Sequence, residues 1–247
     1  MSNFVETTVG LSKDMPAKIV IYGIPKIGKS RFAAQANDAF FIDLEGGLSY
    51  MPTKVRATPK LVIYDEAIGW LKHIYETDSF TAGTIVIDSL DWLETLAQQR
   101  LCKQNNARSI VDPACKDFAY HKGVVMAAED TFNVVKWLDA IYTKKGIKTI
   151  LVAHSQIKDI DMPDRDPHSR HEMKLSKQLS GKINEWADLI LFCDYSFFVS
   201  KEGKTSEPKP CLYAGGSASF VGGGRMLLEK EMPIDYKTLE KHITKGK

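Results

Sequence analysis

With 247 residues, 44% hydrophobic and 26% charged, and a formal net charge of +2, the chain has the size and balance of one large α/β domain with a sizeable core. No apolar run approaches the roughly 20 residues of a membrane span. The stretch from Met1 to Asp14 lacks the apolar centre of a signal peptide, so the expectation is a cytoplasmic chain without membrane contact. Cys102, Cys115, Cys193 and Cys211 are far apart and form no C-x-x-C pair, the usage of reduced thiols rather than of a zinc site or a disulfide framework. A near-neutral net charge neither requires nor forbids nucleic acid, since a local basic patch suffices.

In chain order, residues 1–17 read as a polar N-terminal extension ending in Met15-Pro16, residues 18–230 as the domain and residues 231–247 as a C-terminal tail. The domain opens with Lys18-Ile19-Val20-Ile21-Tyr22, an unalternating apolar run suited to a strand buried on both faces of a parallel sheet. Directly after it comes Gly23-Ile24-Pro25-Lys26-Ile27-Gly28-Lys29-Ser30, which has the form G-x-x-x-x-G-K-S of a phosphate-cradling P-loop. Helix-forming residues from Arg31 to Ala36 follow. Gly23 and Gly28 permit backbone conformations and approaches that a Cβ would block, so that N–H groups turn toward phosphate oxygens. The helix N-terminus beginning near Lys29 adds its dipole. Lys29 is placed to reach the β- and γ-phosphates, and the Ser30 hydroxyl to hold Mg²⁺. Gly23 through Arg31 are therefore the expected nucleotide-binding residues.

Ala39 to Leu44 is a second apolar strand, and it ends in Glu45-Gly46-Gly47. Carboxylates at the carboxyl ends of strands in open α/β sheets border the ligand crevice, so Glu45 is a candidate base for activating water or, alternatively, a solvated turn acid. Met51 to Pro59 is loop-like, Leu61 to Tyr64 is short and apolar, and Glu66 to Glu76 has helical spacing. Thr84-Ile85-Val86-Ile87-Asp88-Ser89 is a third strand closed by an acid, the Walker B pattern, with Asp88 holding Mg²⁺ directly or through water. Residues 89–148 read as mostly helical, with apolar stripes over Leu90–Cys102 and Val124–Lys144 flanking an irregular excursion from Asn105 to Lys122 near the site.

A fourth strand, Thr149 to Ala153, runs into the polar triplet His154-Ser155-Gln156, suited to sensing the γ-phosphate and passing its loss onward. Lys158 to Lys177 mixes acids with Arg165, Arg170, His168, His171, Lys174 and Lys177 and lacks apolar periodicity until Leu175. It is expected to be a solvated, disordered loop whose basic second half orders on nucleic-acid phosphates. His154, His168 and His171 match no zinc spacing. A helix at Ile183–Ala187, a fifth strand at Asp188–Cys193 and an antiparallel hairpin from Tyr195–Ser200 to Pro210–Ala214 follow. Ser217 to Arg225 reads as a flexible loop, with Arg225 a candidate finger acting in a neighbouring subunit's site.

The succession of the P-loop, Phe41-Ile42-Asp43-x-Glu45, Ile85 to Ser89 and Val152-Ala153-His154-Ser155-Gln156 resembles the ATPase core of RecA-like proteins. It is most similar to the phage-encoded AAA-type ATPases that include core-only RecA-like recombinases and single-strand annealing proteins. The similarity runs from Lys18 to Cys193 and more loosely to Arg225, where Gly222-Gly223-Gly224 stands in place of the Lys many relatives carry near the terminal Arg. The resemblance implies an α/β fold with a RecA-like P-loop NTPase core: a mostly parallel central sheet flanked by helices, with a C-terminal antiparallel hairpin. It implies ATP and Mg²⁺ as cofactors, Glu45 as the water-activating glutamate, Asp88 as the Walker B acid and Gln156 as the coupling glutamine. Lys29 and Arg225 complete the expected catalytic set.

The implied setting is phage or prophage recombination or annealing in a bacterial host. The expected partners are single-stranded DNA contacted by Arg165, Arg170, Lys174 and Lys177, further copies of the chain in a ring or filament, and a single-strand-binding protein. A nucleotide-dependent switch acting on a protein partner is the alternative, and a P-loop kinase fits less well because it needs an Arg-rich lid.

Overall fold

The computed structural model describes residues 15–162, 165–196, 207–226 and 228–245. The apolar run after Pro16 forms β1 (Lys18–Gly23), whose side chains alternate between two buried faces: Ile19 and Ile21 join one core cluster, Val20 and Tyr22 the other. The same holds for β2 (Ala39–Asp43) and β4 (Thr84–Asp88), where Phe41 and Val86 face one way and Phe40, Ile42, Ile85 and Ile87 the other. Strands apolar at every position are what a parallel sheet covered on both sides requires.

A two-residue strand, β3 (Arg56–Ala57), pairs with β2 at one edge. Two further central strands, β5 (Lys148–Met162) and β7 (Leu189–Ser196), flank β1, and all pair in parallel. At the other edge β8 (Lys209–Tyr213) and β10 (Glu231–Pro233) extend the sheet antiparallel, giving the order β10-β8-β7-β1-β5-β4-β2-β3. This is the mostly parallel sheet with a C-terminal antiparallel hairpin that the sequence led us to expect. The expected end of the first hairpin strand and its turn fall in residues 197–206, which lie outside the described residues.

Helices α2 (Tyr64–Glu76), α3 (Leu90–Gln104), α4 (Lys122–Lys145) and α5 (Lys177–Trp186) cover one face, and α1 (Lys29–Ala33) with α6 (Tyr236–Lys245) covers the other. The connection leaving β1 thus goes to the opposite face from those leaving β2, β4 and β5. That reversal marks the carboxyl end of β1 as a switch point where ligands bind in open α/β sheets. α4 stops at Gly146, whose φ of 70° lets its N–H reach back to the Tyr142 carbonyl.

Four expectations are corrected. Residues 158–173 are not a disordered loop: β5 continues to Met162 and pairs antiparallel with β6 (Arg165–Met173) as a projecting hairpin. The charges masked the alternation, but cross-strand pairs such as Lys158 with Glu172 and Ser169 with Asp159 hold the two strands together. Residues 217–225 are tied down as well, with the His171 N–H donating to the Ser219 carbonyl and β9 (Gly223–Gly224) pairing with Leu189 and Ile190. Residues 231–245 are not a tail, because β10 joins the sheet and Tyr236, Leu239 and Ile243 of α6 pack on Phe32 and its neighbours. Finally, α1 has only five residues, so its dipole adds less to the P-loop than a long helix would.

Candidate active site

The P-loop leaves the sheet where β1 meets β7. A Cβ at Gly23 would sit 2.1 Å from the carbonyl oxygen of Cys193, so only glycine allows these strands to approach. Gly28 has open space around its Cα but a φ of 111°, a conformation side chains resist. Between them Ile27 is buried in the core, while Pro25 and Lys26 are exposed, as is Arg31 after the loop. Lys29 is buried, and its ammonium donates to the carbonyls of Gly23 at 3.1 Å and Ile24 at 2.8 Å, curling into the concavity of its own loop. Burial lowers its pKa, and Cys193, Asp88, Asp91 and Glu45 offset part of that. An ammonium held by two neutral carbonyls exchanges them readily for phosphate oxygens, which are charged and bind it more strongly.

Asp88 ends β4, one strand away from β1. Burial pushes its carboxyl up to about 6; the Ser30 hydroxyl works against this, as does Lys29, while Glu45 and Asp43 add to it. Its Oδ1 is buried with no hydrogen-bond partner. An orphaned carboxylate oxygen beside a serine hydroxyl suits a hard divalent cation that takes its remaining ligands from phosphates and water. Asp43, next to Asp88 in register, accepts from the Gly46 N–H at 2.7 Å and so shapes the turn that carries Glu45.

The Glu45 side chain is 40% exposed and reaches the carboxyl edge, with Oε1 3.9 Å from Nε2 of His154. His154 is the β5 residue that lies opposite Gly23. Its backbone N–H donates to Asp91 Oδ1 at 3.1 Å, and its Nδ1 lies 2.9 Å from Asp91 Oδ2. Burial pushes Asp91 upward, but the hydrogen bonds and charge of His154 outweigh it and leave the carboxyl below its ordinary value. Three residues on, Glu94 is buried and accepts from the Ser176 N–H at 3.0 Å, at the start of α5; burial raises its pKa. Gln156 donates through Nε2 to the carbonyls of Met173 at 2.9 Å and Leu175 at 3.2 Å, tying β5 to the end of the hairpin.

A P-loop on β1, an acid ending β4 and a second acid after β2 converge on one edge of a sheet in which β5 intervenes between β1 and β4. A family model described as an AAA domain matches residues 15–226, most of the chain. The chain belongs to the AAA domain family. As an AAA-type P-loop domain it binds nucleotide and is an ATPase or related NTPase. A comparison with curated proteins finds no match. Among the described residues of this AAA domain, no helix is long and apolar enough to cross a membrane.

The structure therefore brings together Gly23 to Ser30, Asp88 and Glu45 at the carboxyl edge, while Gln156, two residues past His154 on β5, turns to the base of the hairpin. Arg225 is elsewhere. It follows β9 beside Asp188, ahead of the first residue of β7, and its guanidinium meets Asp188 Oδ1 at 3.1 Å. That is the opposite edge of the sheet, about 16 Å from the P-loop along the strands, so Arg225 does not serve its own chain's cradle. Of the expected DNA contacts, Arg165 opens β6, Lys174 and Lys177 are exposed, and Arg170 is paired with Glu172.

Sequence reasoning missed Asp91 and Glu94. Their signal was two acids at i and i+3 on the same α3 stretch as the buried Leu90, Leu93 and Ala97, where unpaired carboxylates would be too costly to bury.

Proposed function

We propose that this AAA domain is a RecA-like, Mg²⁺-dependent ATP hydrolase that acts on single-stranded DNA in phage-type recombination or strand annealing. Gly23 to Arg31 bind the nucleotide phosphates, with Lys29 neutralising them. Ser30 and Asp88 hold Mg²⁺, which, when bound, draws charge from the transferring phosphoryl group. Glu45 accepts a proton from the attacking water.

The observation that carries the coupling is the Gln156 amide on the Met173 and Leu175 carbonyls, since any shift of Gln156 toward a γ-phosphate releases the base of the hairpin and the start of α5. Lys174 and Lys177, with Arg165, supply cations for a DNA backbone. Arg225, exposed at the far edge, would exchange Asp188 for a neighbouring copy in a ring or filament, and a single-strand-binding protein is a further partner. The setting is the bacterial cytoplasm.

ATP turnover measured with and without single-stranded DNA tests this reading: stimulation supports it, and equal rates over a range of DNA concentrations refute the DNA part.

A second reading, a nucleotide-driven switch acting on a protein partner, is favoured by one observation. Glu172 pairs with both Lys158 and Arg170, so much of the hairpin's positive charge is already spent within the chain.

A further inference from the structure

We propose that His154, clamped by Asp91, is the positioning residue that aims Glu45 at the attacking water. This rests on the reading of Glu45 as the base. The imidazole cannot turn, because Asp91 takes both its Nδ1 and the backbone N–H of the same residue, at 2.9 and 3.1 Å. The side chain is 15% exposed and the Asp91 side chain 8%, so the pair is shielded from water that would loosen it. With Nδ1 committed, Nε2 faces the Glu45 carboxylate at 3.9 Å. That separation is too long for a hydrogen bond, but it is the kind that closes when a nucleotide completes the site.

Glu45 needs such a partner. It lies within a turn closed by Asp43 and Gly46, it is 40% exposed, and no hydrogen bond to a neighbour fixes its carboxylate among those of the described residues. With Nδ1 against Asp91, an Nε2 that meets Glu45 holds the carboxylate by one oxygen and leaves the second for water. The residue also stands where the nucleotide's state meets the hairpin, since its carbonyl accepts the Lys174 N–H at 2.7 Å.

The test uses the full chain and Mg-ATP. His154→Asn keeps an N–H for Asp91 but cannot reach Glu45. It is expected to lower kcat at least 10-fold, leave KM for ATP within about threefold and leave Tm unchanged. His154→Gln, whose longer amide reaches Glu45, is expected to recover part of that loss. Asp91→Asn, which removes the charge that holds the ring without changing shape, is expected to lower kcat with the same unchanged KM, and it serves where His154→Asn folds poorly. Because His154 acts through Glu45, the double variant E45Q/H154N is expected to be no slower than E45Q alone.

Turnover of His154→Asn or Asp91→Asn within twofold of the parent overturns the inference. So does a double variant slowed by the product of the two single effects. If Glu45→Gln itself turns over normally, the base assignment falls instead, and the two failures are told apart.

Discussion

Two groups of charged residues share the carboxyl edge of this sheet, and they differ in what their neighbours leave undone. In the cradle, Lys29 rests on neutral carbonyls, Asp88 has a buried oxygen with no partner and Glu45 stands just out of reach of His154. In the hairpin, Glu172 holds Lys158 and Arg170, Ser169 donates to Asp159, and Gln156 has both its carbonyls. Unsatisfied buried charge is costly, and a structure keeps it where a ligand supplies the missing partner. Charge satisfied within the chain is what a moving lever needs, because it keeps its shape while its base shifts. The comparison supports the proposed division, with the chemistry in the cradle and the response in the hairpin.

The largest expected effect breaks the cradle's chemistry. Glu45→Gln keeps the shape of the side chain and removes the base, so turnover is expected to fall roughly 10²-fold or more, with Mg-ATP still binding in an equilibrium assay. A parent-like rate would reduce Glu45 to a turn residue.

Next, Lys29→Ala removes a cation whose bonds to charged groups are worth about 1.5–3 kcal/mol. ATP affinity is expected to drop roughly 10- to 100-fold by calorimetry, and an unchanged Kd would remove the P-loop as the phosphate site.

The third effect tests whether the orphaned carboxylate is a burden without ligand. Asp88 titrates near 6, above its ordinary 3.8, because burial disfavours the ionised form. The folded chain therefore holds this proton more tightly, and stability is lost as pH rises through that window. Asp88→Asn is expected to raise Tm of the nucleotide-free protein at pH 7.5, by about 2–4 °C for each kcal/mol relieved. The advantage is expected to vanish below about pH 4, under both titration points. Saturating Mg-ATP is expected to reverse the order at pH 7.5. A variant less stable than the parent at pH 7.5 without nucleotide contradicts the burden.

The smallest effect sharpens the other half of the comparison. Glu172→Gln weakens the hold on Lys158 and Arg170, and single-stranded DNA affinity is expected to rise modestly. The salt dependence is expected to steepen by roughly 0.7 in log–log slope for each phosphate newly engaged. Unchanged binding at several salt concentrations favours the protein-partner reading.

What the sequence by itself determined are the parts whose physics is local. The P-loop is legible because a strand, two spaced glycines, Lys29 and Ser30 are contiguous, and β2 and β4 are legible because doubly buried strands are apolar at every position and end in Asp43 and Asp88. The coarse fold follows from that alternation of strands and helices. What only the tertiary structure decided are the pairings between distant residues.

Asp91 and His154 stand 63 positions apart, and nothing near either one announces the other. The β5–β6 hairpin went unread because its strands are half exposed and charged, so that pairing across the strands, and not an apolar period, holds it. Arg225 followed three glycines and looked free, and the β7–β9 register carries it to the edge opposite the P-loop. The last residues looked like a tail because a short amphipathic helix is stable only against the face that buries it, and that face, around Phe32 and Tyr236, exists only once the sheet has formed.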